Sequence, residues 1–178
     1  LSWLEDRLKE FKGDWVIITH HYSMEQLARN REGGVRFPEF QALYEKYNVP
    51  LVLTGHEHVY ARGRMNGKMP VYVVSVSGPY QNAMRFPEWI ERAGSSLQLY
   101  QVIDVTPTSL RYVSKTLTGN VYDGFTIEKQ SGGKLKFTAD KQLLAESLIP
   151  TKDFETRYSK ELVESYEADK QRYLQRKK

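Results

Sequence analysis

Cysteine is absent from this chain of 178 residues, which excludes disulfide bonds and thiolate zinc sites. Long apolar runs are absent too: none approaches the roughly 20 residues that a membrane-spanning helix needs, so no such helix is expected. Residues 1–5 lack the basic and apolar regions of a signal peptide, and no initiator methionine precedes them. We therefore expect a chain that was either processed or cut from a longer protein.

Neither sign of charge dominates the composition. The chain has 26 Lys and Arg residues against 22 Asp and Glu residues, a net charge of +4. Such a mild excess is compatible with anionic substrates or with a nucleic acid. In the C-terminal segment, however, Glu161, Glu164 and Glu167 are interleaved with the basic residues, which weakens any nucleic-acid footprint. We expect neither a nucleic acid nor a membrane as partner.

The apolar pattern predicts a helix, a strand, a second helix, a second strand and then a series of strands. The helices are predicted over residues 2–11 and from Pro38 onward. The first two strands are short continuous apolar runs, as expected of strands covered on both faces. The order is typical of an α/β layered domain whose sheet continues beyond this segment. Strands are predicted at residues 15–19, 51–54, 71–76, 97–105, 110–117 and 125–128.

The composition changes near residue 131, where a Ser-Gly-Gly sequence at residues 131–133 indicates a linker. Beyond it, Thr151 can cap a long polar helix with a narrow apolar stripe that either packs on the domain or engages a partner. The stripe consists of Phe154, Tyr158, Leu162 and Tyr166. We therefore divide the chain into a domain of residues 1–130 and a mostly helical C-terminal extension of residues 131–178.

All four histidines lie in two clusters, His20-His21 and His56-x-His58, and each cluster comes directly after a predicted buried strand. Open α/β sheets bind their ligands at this end of the strands. Neutral imidazole is the commonest metal ligand in proteins and suits ions such as zinc and iron. The pattern predicts that His20, His56 and His58 bind metal, with hydrogen bonds to loop carbonyls as the structural alternative.

The segment from Gly55 to Arg62 resembles the Gly-His-x-His-x-Tyr-x-Arg segment of the purple acid phosphatases, a branch of the calcineurin-like metallophosphoesterases. Residues 17–22 resemble the strand-plus-histidine motif of that family, and the helix with Trp3, Leu4 and Glu5 resembles the segment before it. Residues 99–102 and 122–125 resemble the family's C-terminal hairpin region. The resemblance extends over residues 1–129.

This resemblance implies the C-terminal half of a four-layer α/β/β/α sandwich with two mixed sheets, followed by a helical tail. It also implies a site with two metal ions (iron, with zinc or manganese), where His20 and His56 bind one ion and His58 the other. His21 and Tyr60 are expected beside the ligands rather than on the ions. Two such ions can clamp a phosphate and lower the pKa of a water molecule, so the implied function is a phosphatase or phosphodiesterase.

Arginines in the loop after the first histidine cluster are candidates for binding the substrate phosphate through bidentate contacts, although each could equally be a solvated surface charge. They are Arg29, Arg31 and Arg36. The phosphate-contacting histidine that the family carries in this loop is absent, so substrate contacts there must differ. The resemblance implies a phosphorylated small molecule or phosphoprotein as substrate, and a periplasmic or secreted protein.

The first half of the family's site is missing, because the Asp-x-His, Gly-Asp and Gly-Asn-His motifs do not occur. Gly13-Asp14 and Asp123-Gly124 are interpreted as turns. Three imidazoles cannot fix two ions without a bridging carboxylate. We therefore expect the chain to be inactive alone and to pair with the N-terminal half of the same catalytic domain. Sheet edges that this half normally covers would invite self-association.

Two other readings of the histidines and the tail remain open. Three histidines from two strand ends are also how mononuclear zinc enzymes hold one ion, which would make the chain a complete zinc hydrolase or hydratase. Alternatively, the chain is a non-catalytic binding or assembly module. Its interface would then be the tail helix, where Tyr158, Tyr166 and Tyr173 suit such a role.

Overall fold

The computed structural model describes residues 1–29, 38–150 and 153–178. Its layers are helices, a mixed sheet and an antiparallel sheet. The helices are α1 (Ser2–Glu10), α2 (Pro38–Lys46), α3 (Phe154–Arg157) and α4 (Lys160–Arg176). The strands are β1 (Ile17–His20), β2 (Leu51–Thr54), β3 (Tyr60–Gly63), β4 (Val71–Val74), β5 (Ile90–Gly94), β6 (Leu99–Val105), β7 (Ser109–Thr116), β8 (Val121–Lys129) and β9 (Leu135–Ala139).

The first sheet has the strand order β1-β2-β4-β3-β5 and is mixed. β1, β2 and β4 run parallel, whereas β3 lies antiparallel between β4 and β5. The apolar run of β2 is buried because strands flank it on both sides, with Leu51 and Val52 fully covered. β1 is only half buried, since no strand of the described ranges pairs with its outer edge. Among the described residues, the outer edge of β1 is therefore open.

Two apolar cores cover the two faces of this first sheet. One face packs against α1, α2 and α4 through residues such as Leu8, Tyr44 and Tyr166. The other packs against the second sheet, an antiparallel arrangement of order β6-β7-β8-β9, through residues such as Tyr112 and Phe125. This arrangement of helices, a mixed sheet and an antiparallel sheet, with a helix near the C-terminus, agrees with the layering expected from the sequence.

The C-terminal residues contribute to both the second sheet and the helix layer. The Ser-Gly-Gly sequence at residues 131–133 forms a tight turn rather than a linker, and it leads into β9, which pairs with β8. The predicted tail helix is two helices, because the chain is extended at Tyr158 and Ser159 then caps α4 through its hydroxyl. Tyr166 and Tyr173 of α4 are fully buried in the helix-side core. Among the described residues, no helix combines the length and apolarity required to cross a membrane.

A buried ion pair joins the two sheets. Arg62 donates from Nε and Nη2 to the two carboxylate oxygens of Asp123, with both distances 3.0 Å. Tyr60, two residues earlier on β3 and therefore on the same face, donates its hydroxyl to the same carboxylate at 2.8 Å. Asp123 is fully buried within β8, so its interpretation as a turn residue is wrong. The Tyr60 hydroxyl thus belongs to the contact between sheets.

Replacing Asp123 with Asn should destabilise the chain by about 3 kcal/mol, because the buried Arg62 would lose the charge of its fully buried partner and keep only the partly exposed Glu91. The matched control is Asp14→Asn, which removes an exposed carboxylate paired with Lys129 and should leave stability unchanged. Urea denaturation followed by circular dichroism measures both. Equal unfolding midpoints for the two variants would contradict the structural role of the buried pair.

Candidate metal centre

Both histidine clusters lie at one edge of the first sheet. β1 and β2 are adjacent and parallel with His20 opposite Thr54, so the residues that follow both strands emerge side by side. The backbone N–H of Gly55 donates to the carbonyl of His21 at 3.0 Å, which ties the two loops together. The fold therefore places the histidines at the carboxyl ends of two strands, as expected.

The closest pair of imidazoles is His21 with His56. Nε2 of His21 and Nδ1 of His56 are 3.1 Å apart and share a hydrogen bond whose direction depends on the tautomers. Two nitrogens bound to one zinc ion at its usual distances and tetrahedral angle are about 3.3 Å apart. The ring of Tyr22 packs against His56 with centroids 4.4 Å apart. The pair is therefore spaced as two ligands of a single ion would be.

His20 makes a different set of contacts from this pair, and its Nε2 is buried without a hydrogen-bond partner among the described residues. As the last residue of β1 it shares a face with Ile18, which packs against the helix-side core. Its Nδ1 donates to the carbonyl of Tyr22 at 2.6 Å, and its ring stacks near Tyr44. Burial lowers the pKa of His20, and the bond to Tyr22 only partly opposes this, so the ring is neutral at pH 7. The structure thus brings His21, rather than His20, to His56, while the ligand role of each stays a prediction.

His58 lies on the other side of the same loop. Its Nδ1 donates to the backbone carbonyl of Tyr80 at 3.0 Å, and the ring of Tyr80 contacts the imidazole edge-on at 5.1 Å between centroids. Donation from Nδ1 leaves the lone pair on Nε2. This is the arrangement that metal-binding histidines commonly show, because the second hydrogen bond fixes the tautomer and the ring.

The backbone at His56 and His58 adopts an unusual conformation. Both residues have positive φ angles, +66° and +56°, in the left-handed region that residues with a side chain rarely occupy. Such conformations cost about 1–3 kcal/mol each and persist where surrounding contacts hold them, often at functional sites. The two strained residues of this loop are the two histidines of the motif, which supports a functional rather than a purely structural role for the loop.

Glu57, between the two histidines, holds the loop in place. Its buried carboxylate accepts from the backbone N–H groups of Leu27 and Ala28, at 2.9 and 2.6 Å, and from the hydroxyl of Ser23 at 3.0 Å. Asn82 donates its side-chain amide to the Glu57 carbonyl. This role is not evident from the His-x-His pattern, in which only the two histidines are candidate ligands; the acidic residue between them is the available sequence signal.

The predicted substrate arginines do not gather around the histidines in the described part of the chain. Arg29 is nearly buried and directs its guanidinium to α4, where Nη1 donates to the Ser165 hydroxyl and Nη2 pairs with Asp169. Arg31 and Arg36 lie outside the described residues. The contacts of Arg29 join the loop after β1 to the C-terminal helix, so this arginine has a structural use.

The chain does not complete a metal site with its own described residues. Within residues 1–29, 38–150 and 153–178, no group of three or more histidine, aspartate or glutamate side chains is close enough to hold an ion. The nearby carboxylate of Glu57 is already engaged by backbone amides. A mononuclear zinc site needs three converging histidines, and this geometry does not favour it.

Comparisons with known proteins agree with the resemblance to metallophosphoesterases. Residues 1–60 match the family model described as calcineurin-like phosphoesterase. The fold is similar to the purple acid phosphatase PPD1 from yellow lupin (Lupinus luteus) seeds, with a TM-score of 0.55 and 22% identity over 71% of this chain and 28% of the lupin chain. A search of curated proteins returned no match.

A second solved structure, a single mutant of Vps29 from Entamoeba histolytica, is aligned over 74% of this chain and 58% of its own. Its TM-score of 0.32 at 10% identity is too low to support an inference. The expected resemblance to metallophosphoesterases of the purple acid phosphatase type is confirmed by the family model and the lupin structure. This chain spans only 28% of the lupin chain.

Replacing Glu57 with Gln should loosen the loop that carries the histidines, because the side-chain amide lacks the negative charge that strengthens the hydrogen bonds from Leu27 and Ala28 to one carboxylate oxygen. We expect amide hydrogen exchange at Leu27 and Ala28 to accelerate about tenfold or more, because hydrogen bonds to a charged acceptor are stronger than those to a neutral one. Glu88→Gln, at an exposed glutamate, is the control and should leave both amides protected. Unchanged exchange in the Glu57 variant would refute this role.

Proposed function

We propose that this chain supplies the histidine half of a two-metal phosphoesterase site. The observation that carries the proposal is the 3.1 Å separation of the His21 and His56 ring nitrogens at the sheet edge where two parallel strands end. The match of residues 1–60 to the calcineurin-like phosphoesterase model includes both histidine clusters and supports the same reaction class. The substrate is then a phosphate ester, either a small molecule or a phosphoprotein.

The donor set fits metal ions of the kind this family uses. His21 and His56 would hold one ion together, and His58 would offer Nε2 to a second, with iron, zinc and manganese all accepting such ligands. When bound, a pair of ions supplies charge neutralisation at phosphorus and lowers the pKa of water. This assignment exchanges His20 for His21 relative to the sequence-based ligand set, on the strength of the contact with His56.

The residues around the histidines keep these donors oriented. The Tyr80 carbonyl holds the His58 ring through Nδ1, and Glu57 holds the strained backbone on either side of itself. Because Glu57 is buried and anchors the loop from within the fold, the imidazoles on either side of it need little reorganisation when they bind a ligand. Fixed polar groups of this kind account for much of the electrostatic contribution to catalysis.

The remaining ligands would come from the N-terminal half of the same catalytic domain. The outer edge of β1, which no described strand covers, supports this, as does an open cavity of about 480 Å³ beside it. The cavity is lined by mainly apolar side chains, including Ile17 and Phe40. Trp3 at its rim is 71% exposed, which is unusual for so large an apolar ring. A segment that packs there would cover the edge and could bring the bridging carboxylate.

The test is metal stoichiometry, measured by elemental analysis after incubation with zinc, iron and manganese and then desalting. We expect no tightly held ion on this chain alone and two ions when the N-terminal half is present. With the N-terminal half present, His21→Ala and His56→Ala should each lose bound metal. Loss of metal in His20→Ala instead of His21→Ala would return the ligand role to His20, whose buried Nε2 has no hydrogen-bond partner among the described residues. One ion on the chain alone, lost in His56→Ala, would instead support the three-histidine zinc enzyme.

Activity gives a second readout of the same proposal. Hydrolysis of p-nitrophenyl phosphate should require the N-terminal half and should fall by more than about 100-fold in His56→Ala, since even partners of metal ligands contribute 10–100-fold. Turnover by this chain alone would overturn the proposal that the site is divided between the two halves.

A further inference from the structure

The C-terminal segment reaches the candidate metal centre through Arg157, the last residue of α3. Its Nη2 donates to the hydroxyl of Tyr80 at 3.0 Å, and its guanidinium carbon is 5.4 Å from the centroid of the Tyr80 ring. Tyr80 also contacts His58, through its carbonyl and through its ring. A single tyrosine therefore connects a cation of the extension to a predicted metal ligand.

The position of Arg157 is set by the fold rather than by a free tail. Phe154 is buried within α3, and Ser159 caps the start of α4 directly after it. α4 is anchored by the buried ring of Tyr166 and by the ion pair between Arg29 and Asp169. Because both flanking segments are packed, the guanidinium stays near the histidine loop.

Both groups of this contact remain accessible to a ligand. The Arg157 side chain is 39% exposed and Tyr80 is 45% exposed. The neighbouring carboxylate of Asp153 lies 3.7 Å from Arg157 and is itself exposed, so it neutralises the guanidinium only weakly. The Tyr80 hydroxyl accepts from Arg157, which leaves its own hydrogen free to donate. Two donors, one of them cationic, thus meet at the hydroxyl end of Tyr80, whose ring and carbonyl contact His58.

We propose that Arg157 and Tyr80 form a subsite for a second anionic group on the alcohol part of the substrate. A guanidinium presents paired N–H donors that match the oxygens of a carboxylate or a phosphate, and the tyrosine hydroxyl adds a third donor. This inference rests on the proposed function, because it takes the reacting phosphate to lie at the histidines. The C-terminal extension then selects doubly anionic esters over esters of neutral alcohols.

The test compares 4-carboxyphenyl phosphate with its neutral methyl ester as substrates of the metal-loaded protein that contains both halves of the site. Arg157→Ala should raise KM for the carboxylate about tenfold with little change in kcat, the size expected for one charge-assisted contact at a partly exposed position. KM for the methyl ester should stay within about twofold. A bisphosphate, 1,4-phenylene bisphosphate, distinguishes a preference for phosphate from one for carboxylate.

Three further variants separate binding from support of the fold. Arg157→Lys keeps the charge and should recover part of the selectivity, whereas Tyr80→Phe should lose part of it. Lys160→Ala is the matched control, since it removes an exposed cation three residues further along the extension that pairs with Glu164. It should change neither KM.

Calorimetric binding of 4-carboxyphenylphosphonate and its methyl ester gives a readout that does not require turnover. The dissociation constant of the carboxylate alone should rise about tenfold in Arg157→Ala. Equal losses for both ligands, or no loss for either, would overturn the subsite and leave Arg157 as a structural contact. If the wild-type protein hydrolysed neither phosphate, the proposed function would fail, while phosphonate binding would still decide on the subsite.

Discussion

The contact between Arg62 and Asp123 is the constraint on which the histidine loop depends. β3 begins at Tyr60, two residues after His58, and its Tyr60 and Arg62 side chains are fixed to the second sheet. The loop between β2 and β3 must therefore turn sharply within residues 55–59. A buried ion pair is a costly way to stabilise a fold, because both charges lose their hydration. In this protein the ion pair determines geometry: the bidentate contact fixes the position of β3 relative to β8. It thereby fixes the point at which the loop between β2 and β3 ends.

Most of the first sheet and the large hairpin could be predicted, because β1, β2, β4, β6 and β7 are apolar or alternating runs of the expected length. β3, β5 and β9 were not predicted. β3 contains an arginine whose charge is neutralised by a residue 61 positions away, which no local pattern reveals. β5 and β9 are short and carry charged residues at their exposed or paired positions, so their sequences resemble loops. These strands are held by partners rather than by their own propensity.

A difference of one residue in the length of β1 changes which of two neighbouring histidines is assigned as a ligand. The clusters were found because they follow buried strands, and that inference needs only approximate boundaries. Assigning ligands needs more, since neighbouring side chains of a strand point to opposite faces. The strand predicted to end at residue 19 continues through His20, which therefore shares the face of Ile18. His21 is the first residue after the strand, so the alternation of side chains along β1 does not determine its direction. Of the two expectations for the tail, packing on the domain is the one observed, since Tyr166 of the predicted apolar stripe and Tyr173 are both fully buried.

The left-handed backbone conformation of His56 and His58 also determines at which stage of folding the site can form. In a short peptide nothing would stabilise two left-handed residues on either side of a glutamate. In the folded chain, the Glu57 carboxylate accepts hydrogen bonds from backbone amides about 30 positions earlier in the sequence. The histidine arrangement thus exists only after the loops following β1 and β2 have met. In zinc fingers the ion organises an unfolded chain, and binding energy becomes folding energy. At the site proposed here the order would be reversed, because the loops must fold before the histidines can bind an ion.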